Sequence, residues 1–414
     1  MIVTGGRPLR GRLRVPGDKS ISHRALLLGA LAEGTSTVRG LSDGDDVART
    51  RAAIEAMGVE VDGATGGITG GRSRLHEPAD VVDVGNSGTT MRLLAGLVAG
   101  CDWLTVLTGD ASIRHRPMGR VAEPLRAMGA AVDGRRGGEF PPLVVRGAFL
   151  KGLDYDLPVP SAQVKGAVLL AGLAAEGETV VRERVPTRAH TEEMLAAAGA
   201  DVAVEDGGLT TRVRPCDLQP FELDVPGDPS QAAFWIVAAS LVPGSEVVVE
   251  NVYTGPGRAG FLDALGRMGA RVEVDGSDVR ATYGGRLHAT AVKPYEVPGL
   301  VDEIPALAVA AALADGVTVF RGVEELRVKE SDRVAAIIAL LGGHYEHDTL
   351  TIEGFPLLAL PPVVGSGGDH RMAMAAAVAA MTQPDGAETS IEGWDAVATS
   401  YPGFAADLER LCQS

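Results

Sequence analysis

Two cations stand at the start of an apolar run near the beginning of the chain. Lys19 and Arg24 lie in the segment PGDKSISHRALLLGAL. Asp18 and Ser20 are residue types that cap helix N-termini, and residues 25–32 are apolar on every side, so the segment predicts a buried helix. Free N–H groups, the positive end of a helix dipole and two cations favour an anion site there. An ordinary capped core helix with a snorkelling lysine explains the same residues.

This arrangement of a polar head and an apolar run recurs along the chain. The further copies are NSGTTMRLLAGLVAG (86–100), SAQVKGAVLLAGLAA (161–175), DPSQAAFWIVAASLV (228–242), DEIPALAVAAALA (302–314) and DHRMAMAAAVAA (369–380). Their heads are about 70 residues apart, and a second, amphipathic stretch closes on glycine at Gly58, Gly129, Gly199, Gly269 and Gly342. Repeats of helix, strand, helix and strands are therefore predicted.

The repeat pattern predicts the fold class. Helices that are apolar on every side belong in the interior. Strands in which apolar and polar residues alternate have one solvent-exposed face and belong on the outside. We expect an α/β fold of two inside-out barrel domains, each with three repeats, buried parallel helices and outer sheets. The similar junctions VPGDKS and DVPGDPSQ predict crossovers, which assigns 18–226 to the first domain and 1–17 plus 227–414 to the second. A stacked solenoid that only binds partners fits the repetition as well.

A second group of chemically capable residues lies late in the chain, in the segment LRVKESDR (326–333). Lys329 and Arg333 share a face if this stretch is helical. Asp302, Glu330 and Lys329 are titratable groups among these cations. Such a group of residues favours proton transfer on an anionic substrate. A solvated face of paired charges is the alternative. Further cations come from 113–120 and 187–190, and arginine favours a bidentate grip on carboxylate or phosphate.

Composition narrows the class of protein. The 414 residues are 45% hydrophobic and 4% aromatic, with a formal charge of −16, which favours a globular protein and disfavours nucleic-acid binding. Three widely spaced cysteines indicate neither a disulfide framework nor a zinc site. No signal-peptide core or membrane-spanning run stands out, so we expect a cytoplasmic protein without membrane partners. The chain also lacks the P-loop, GxGxxG, GxSxG and HExxH patterns.

Several motifs together resemble one enzyme family. PGDKSISHRALLLGAL, GNSGTTMRLLAG, RPMGR, SAQVKGAVLLAGL, GDPSQAAF, LRVKESDR and GDHRMAM are similar, in order and over nearly the whole chain, to 5-enolpyruvylshikimate-3-phosphate synthases. The resemblance implies two inside-out domains joined by two crossovers. It also implies that phosphoenolpyruvate and shikimate 3-phosphate give 5-enolpyruvylshikimate 3-phosphate and phosphate, by addition and elimination through a tetrahedral intermediate.

The resemblance further implies which residues touch the substrates. Those for shikimate 3-phosphate are Lys19, Ser20, Arg24, Ser161, Ala162, Gln163, Arg188, Asp302 and Lys329. Those for phosphoenolpyruvate are Lys19, Gly88, Arg116, Gln163, Arg333 and Arg371. The implied catalytic residues are Lys19, Asp302, Lys329 and Glu330. No cofactor and no metal are implied, and we expect a monomer.

Two segments depart from the family pattern. TRAHTE (187–192) replaces the common SRDHTE, although Thr187 keeps a hydroxyl, and Thr399 stands where many members carry a lysine that contacts phosphoenolpyruvate. We therefore expect the grip on phosphoenolpyruvate to rely more on Arg116, Arg333 and Arg371. The herbicide glyphosate fits beside Gly88 in the family, so ordinary sensitivity is expected.

Three other functions compete with this interpretation. A UDP-N-acetylglucosamine enolpyruvyl transferase has the same fold but usually a loop cysteine before Arg-Pro, which residues 110–120 lack. A catalytically inactive repeat scaffold would show no stabilisation by shikimate 3-phosphate. A paralogue that acts on another phosphorylated cyclitol or hydroxy acid stays open, because Ala189 and Thr399 differ from the family pattern.

Overall fold

The computed structural model describes residues 1–413 and divides the chain into two compact units. The central unit is Lys19–Val225, and the terminal unit combines Met1–Asp18 with the chain from Pro226 onward. The divisions fall between Asp18 and Lys19 and between Val225 and Pro226. In the part of the chain that the structure describes, no helix is long and apolar enough to cross a membrane.

The chain begins with two strands of the terminal unit, β1 (Ile2–Thr4) and β2 (Arg10–Leu13). The helices of the central unit are α1 (Lys19–Leu31), α2 (Asp45–Glu55), α3 (Gly88–Ala99), α4 (Gly119–Met128), the short α5 (Arg135–Gly138), α6 (Ala162–Gly172) and α7 (His190–Ala197). Its strands are β3 (Gly34–Arg39), β4 (Glu60–Asp62), β5 (Gly67–Gly70), β6 (Val82–Asp83), β7 (Leu104–Thr108), β8 (Ala131–Gly134), β9 (Phe140–Arg146), β10 (Asp154–Asp156), β11 (Thr179–Arg182), β12 (Val202–Glu205), β13 (Thr210–Val213) and β14 (Glu222–Asp224).

The rest of the terminal unit continues the same alternation of helices and strands. Its helices are α8 (Pro229–Leu241), α9 (Gly260–Arg267), α10 (Ile304–Leu313), α11 (Arg333–Leu341), α12 (His370–Met381) and α13 (Phe404–Cys412). Its strands are β15 (Glu246–Val249), β16 (Arg271–Asp275), β17 (Asp278–Thr282), β18 (Ala291–Val292), β19 (Val317–Arg321), β20 (His344–Glu346), β21 (Thr349–Glu353), β22 (Val363–Gly365) and β23 (Glu388–Glu392).

The sheets repeat one pattern of strand pairing, which is the structural form of the sequence repeat. In the central unit the strand orders are β14-β3-β5-β4, β6-β7-β9-β8 and β10-β11-β13-β12. In each, the first pair is parallel and the next two pairs are antiparallel. The terminal unit has the orders β2-β15-β17-β16 and β18-β19-β21-β20, with β22-β23-β1 as a shorter version.

Helices that are apolar on all sides form the core of each unit, as the patterning predicts. In α10 the sequence IPALAVAAAL carries no charge, and its residues are buried except Leu313. Small residues let such helices approach closely: a Cβ on Gly96 of α3 would collide with the Ala167 carbonyl of α6. The sheets cover this core, and strands such as β9 alternate buried and part-exposed residues. The fold is therefore the α/β architecture of buried helices and outer sheets that the sequence predicts.

Candidate active site

In the central unit, the first turns of the buried helices α1, α3 and α6 carry most of the predicted substrate-binding residues. Lys19 is the first residue of α1, Gly88 is the first residue of α3, and Ala162 is the first residue of α6. The hydroxyls of Ser87 and Ser161 cap α3 and α6 by accepting the N–H of Thr90 and Val164, at 3.1 and 3.4 Å. Because first-turn N–H groups have no acceptor within their own helix, such helix starts suit an anionic ligand.

Arg24 links the starts of α1 and α6 to α7. Its Nη1 donates to the Ser20 carbonyl at 3.0 Å, and its Nη2 donates to the Ala162 carbonyl at 3.3 Å. Its Nε donates to Thr191 Oγ1 at 2.6 Å. Because Arg24 is buried, these carbonyl and hydroxyl oxygens hold its guanidinium in one orientation. Arg188 lies beside the same turn, with its Nη1 3.4 Å from Ser20 Oγ.

The start of α3 is surrounded by guanidinium groups. Arg92 donates to Gln163 Oε1, and its Nη2 donates to the Pro117 carbonyl at 3.2 Å. A Cβ on Gly88 would lie 3.0 Å from Arg92 Nη1 and 3.1 Å from Arg116 Nη1. Arg116 is itself buried and hydrogen-bonded to the side chain of Asn86. A side chain at position 88 would therefore crowd both guanidinium groups, and glycine leaves them room.

Lys19 is held by a carboxylate of α2. Its Nζ lies 2.9 Å from Asp46 Oδ2, and both side chains are largely buried. Asp46 is in the first turn of α2, where its negative charge also suits the helix dipole. The ion pair keeps the ammonium at the start of α1, among the residues that the sequence singled out.

In the terminal unit, the predicted residues meet around Asp302. Lys329 Nζ is 3.9 Å from Asp302 Oδ1, and Arg333 Nη1 is 3.5 Å from the same oxygen. Arg371 Nη1 donates to the backbone carbonyl of Asp302 at 2.9 Å. Asp302 and Lys329 remain partly exposed, whereas Arg333 and Arg371 are buried. The Asp302 carboxylate and the Lys329 ammonium are therefore partly accessible to solvent, next to two buried guanidinium groups.

Two carboxylates hold Arg333. Its Nε donates to Asp369 Oδ2 at 2.8 Å, and it is also paired with Glu330. Burial disfavours the charge on Arg333, but Asp369 and Glu330 raise the pKa of its guanidinium above the ordinary value. Burial likewise opposes the charge of Asp369, yet Arg333 lowers the pKa of this carboxyl overall. Asp369 also accepts the N–H of Arg371 at 2.9 Å, so it fixes the first turn of α12.

The helical interpretation of the LRVKESDR segment is wrong for its lysine. A 3-10 helix covers Glu324–Val328, Lys329 has a non-helical ψ of −149°, and α11 begins only at Arg333. The break has a physical cause, because Asp332 caps α11 by accepting the N–H of Ala335 at 3.1 Å. Lys329 and Arg333 nevertheless meet, since both lie beside the Asp302 carboxylate.

A buried arginine that the sequence analysis did not single out lies in the same unit. Arg258 Nη2 is 2.8 Å from Asp18 Oδ2 and 2.7 Å from Asp228 Oδ1, and its Nη1 is 3.4 Å from Glu303 Oε1. It also donates to Ser230 Oγ at 3.2 Å. Burial opposes the charge, but the carboxylates raise the pKa of Arg258 above its ordinary value. Residues 1–413 contain no cluster of three His, Cys, Asp or Glu side chains suited to a metal.

Relatives of known function match nearly the whole length of the chain. The sequence profile of the EPSP synthase (3-phosphoshikimate 1-carboxyvinyltransferase) family matches residues 3–408. A 3-phosphoshikimate 1-carboxyvinyltransferase of Thermus thermophilus is 51% identical over 425 residues, covering 98% of this chain and 97% of the relative. One of Pelotomaculum thermopropionicum is 47% identical over 422 residues, with 98% and 97% covered.

Solved structures give the same result for the fold. An EPSP synthase from Acinetobacter baumannii has a TM-score of 0.83 and 40% identity, covering 99% of this chain and 97% of that chain. The enolpyruvyl transferase NikO from Streptomyces tendae has a TM-score of 0.79 over 99% of this chain and 96% of its own, but at 20% identity it supports the fold alone. The chain belongs to the EPSP synthase (3-phosphoshikimate 1-carboxyvinyltransferase) family.

Proposed function

We propose that the residues of the two units described above bind the substrates of the family's reaction and supply its proton chemistry. As a family member the chain is a transferase of the shikimate pathway, on the way to the aromatic amino acids. It moves the enolpyruvyl group of phosphoenolpyruvate to the 5-hydroxyl of shikimate 3-phosphate and releases phosphate. The observation that carries the site proposal is the set of cations held at helix starts by fixed hydrogen bonds, since both substrates are phosphorylated anions.

The shikimate 3-phosphate set lies chiefly in the central unit. Its proposed phosphate ligands are Ser20, Arg24 and Arg188, with the cap hydroxyl of Ser161 and the first backbone N–H groups of α6. A phosphate at this place receives hydrogen bonds from charged donors and benefits from the positive end of the α6 dipole. Ala162 and Gln163 line the ring, and Lys19 contacts both substrates. In the terminal unit, Asp302 and Lys329 are proposed contacts of a shikimate 3-phosphate hydroxyl.

The proposed phosphoenolpyruvate ligands are mainly arginines. Arg116 and Gln163 beside Gly88 are proposed as ligands, and Lys19 completes that part of the set. Arg333 and Arg371 are the proposed ligands in the terminal unit. Asp369 binds the Arg333 guanidinium, whereas the Arg371 guanidinium donates to the Asp302 carbonyl. Guanidinium groups fit a carboxylate and a phosphate bidentately, which suits a substrate that carries both.

The addition step needs a proton donor and a proton acceptor. The 5-hydroxyl of shikimate 3-phosphate adds to C2 of phosphoenolpyruvate while C3 takes up a proton, giving a tetrahedral intermediate. Loss of a proton from C3 then expels phosphate and restores the double bond. We assign the proton transfers to Asp302 and Glu330, with Lys329 and Lys19 as cationic partners. The same carboxylates also stabilise the positive charge that develops at C2.

Thr187, Ala189 and Thr399 are the departures from the family pattern, and each has a defined place in the fold. Ala189 precedes α7 and offers no side-chain cap, whereas the Thr187 hydroxyl donates to Glu183 Oε1 at 2.6 Å. Thr399 ends a 3-10 helix, Trp394–Thr399. A lysine that contacts phosphoenolpyruvate is absent at this position, so we propose that Arg116, Arg333 and Arg371 carry that contact.

Phosphate release with two acceptors tests the proposed function. We expect release of phosphate from phosphoenolpyruvate with shikimate 3-phosphate and none with UDP-N-acetylglucosamine. In the Asp302→Ala variant the rate of phosphate release should fall at least about 100-fold. Exposed Asp315 supplies a control, since Asp315→Ala should leave the rate unchanged. Release with neither acceptor would contradict the proposal. We also propose a cytoplasmic monomer, which light scattering coupled to size exclusion and fractionation of the source cells would test.

A further inference from the structure

A buried group of ion-paired side chains lies in the central unit, apart from the residues assigned to the substrates. Lys165 Nζ is 2.6 Å from Glu183 Oε2 and 2.6 Å from Glu192 Oε1. The side chains of Lys165, Glu183 and Glu192 are 1%, 1% and 4% exposed. The hydroxyl of Thr187, also buried, donates to the second oxygen of Glu183, Oε1, at 2.6 Å. We call these four residues the Lys165 cluster.

Stability alone is a poor reason for such a cluster. The desolvation cost of buried charges offsets much of their attraction, so apolar residues of similar size often stabilise a fold as well or better. The cluster also buries two carboxylates against a single ammonium. A buried network with fixed partners does, however, hold its segments in one mutual arrangement. The segments that the Lys165 cluster joins therefore indicate what it does.

Each member of the cluster belongs to a segment that carries or supports a proposed phosphate ligand. Lys165 is in the first turn of α6, two residues after Gln163, which itself follows Ser161 and Ala162. Glu192 is in the first turn of α7, next to Thr191, which accepts the hydrogen bond from Arg24. The ammonium of Lys165 thus ties the start of α6 to the start of α7.

The third segment is the connection 183–189 between β11 and α7. It contains no helix or strand, and Arg188 lies within it, beside Thr187. The hydrogen bond from Thr187 to Glu183 spans this connection, and the other oxygen of Glu183 is bound to Lys165. The backbone on the N-terminal side of Arg188 is consequently anchored to α6. Arg188 in turn directs its Nη1 toward Ser20 Oγ, at 3.4 Å.

We propose that the Lys165 cluster positions Arg188 and the start of α6 for the phosphate of shikimate 3-phosphate. The inference rests on the proposed function, which supplies the ligand, and adds residues that touch no substrate themselves. Thr187 and Glu183 act through Arg188, whereas Lys165 and Glu192 hold α6 against α7. Loss of the Thr187 hydroxyl therefore weakens shikimate 3-phosphate binding without altering phosphoenolpyruvate binding or the chemical step.

The experiment compares Thr187→Val with Thr187→Ser. Valine has nearly the same shape but donates no hydrogen bond, whereas serine keeps the hydroxyl. We expect Thr187→Val to raise KM for shikimate 3-phosphate about 10-fold, with KM for phosphoenolpyruvate and kcat within about 2-fold, and Thr187→Ser to restore the wild-type value. Thr105→Val is the matched control, because Thr105 is a buried threonine of β7 whose hydroxyl has no hydrogen-bond partner among residues 1–413. It should change neither KM.

A second pair of variants tests the acceptor. Glu183→Gln keeps an oxygen that can accept from Thr187, and we expect KM for shikimate 3-phosphate within about 3-fold of wild type. Glu183→Leu removes the acceptor and should raise this KM about 10-fold, as Thr187→Val does. In both variants Lys165 keeps Glu192 as its partner, so the buried positive charge is still balanced by one negative charge. We therefore expect both variants to fold. Thermal stabilisation by shikimate 3-phosphate alone should fall in parallel.

The outcomes separate this inference from the proposed function. Wild-type protein that neither turns over nor is stabilised by shikimate 3-phosphate refutes the proposed function, and the inference falls with it. An active wild type with an unchanged KM for shikimate 3-phosphate in Thr187→Val refutes the inference alone. Equal effects on both KM values and on kcat, or failure of Thr187→Ser to restore binding, would show a general structural role and overturn it as well.

Discussion

Replacing Arg258 by methionine should destabilise the terminal unit more than any surface arginine change. Arg258 is fully buried and lies within 3.4 Å of carboxylate oxygens of Asp18, Asp228 and Glu303. Methionine fills similar space but leaves these acidic side chains without their shared cation. Removal of one partner from a buried ion pair costs about 3–5 kcal/mol, and here more than one carboxylate loses its partner. We expect a loss of at least about 4 kcal/mol in the free energy of unfolding, about 1000-fold in the equilibrium constant.

Urea unfolding followed by tryptophan fluorescence measures this loss. Trp235 and Trp394 belong to the terminal unit, so a Trp103→Phe background makes the signal report on that unit. Arg280→Met is the control, because Arg280 forms a half-exposed pair with Glu246 whose removal should cost less than about 1 kcal/mol. A loss below about 1 kcal/mol for Arg258→Met, or a loss equal to that of the control, would refute the assigned role of the buried ion group.

Three further predictions concern single side chains. Gly88→Ala places a Cβ 3.0 Å from Arg92 Nη1, so the guanidinium must shift. We expect KM for phosphoenolpyruvate and the inhibition constant for glyphosate to rise at least about 10-fold, while KM for shikimate 3-phosphate stays within about 3-fold of wild type. Equal changes in both KM values would contradict this prediction. Because Arg333 lowers the pKa of Asp369, this carboxylate stabilises the fold above its unfolded pKa of about 4, and that stability is lost as pH falls through the lower folded pKa. Asp369→Asn should therefore flatten the plot of unfolding free energy against pH below about pH 4. Parallel curves for the variant and the wild type would count against this prediction. Partial burial raises the pKa of the Cys101 thiol to about 11. At about pH 8 this thiol should therefore react with a maleimide at about one hundredth of the rate of free cysteine or slower. Labelling as fast as that of free cysteine would contradict the raised pKa.

The helix starts were predictable because their signal is local and repeated. Capping residues, cations and apolar runs stand together in the sequence, so the pattern alone is enough to place Lys19, Gly88 and Ser161 at the beginnings of α1, α3 and α6. The recurrence of glycine after the amphipathic helices has the same origin. Gly129 ends α4 with φ of 114°, a conformation that other residues rarely adopt. Local chemistry repeated at a fixed interval determines these features.

The partners of the site residues were not predictable, because they come from distant parts of the chain. Arg258 binds Asp18, 240 positions away, and its own surroundings GPGRAG match no pattern of the repeat. Asp46, which holds Lys19, carries no signal in the sequence beyond its place in an amphipathic helix. Lys165 stands out as a charged residue near a helix start, but its pairing with Glu183 and Glu192 depends on packing between α6 and α7.

The break in the LRVKESDR segment shows a different limit. Residue spacing predicts which side chains share a helix face only where the backbone is helical throughout. The capping preference of Asp332 competes with helix continuation, and the sequence contains both signals. Tertiary contacts decide between them, since Lys329 reaches Asp302 from a non-helical backbone and Arg333 reaches it from the first turn of α11.

The most direct test of the central claim is the identity of the product. Proton and phosphorus NMR of a reaction with phosphoenolpyruvate and shikimate 3-phosphate should show one equivalent of inorganic phosphate for each new enol ether. The ether should carry two vinyl protons and keep the phosphate monoester of shikimate 3-phosphate. Release of phosphate with pyruvate and unmodified shikimate 3-phosphate would show hydrolysis instead of transfer and would contradict the account.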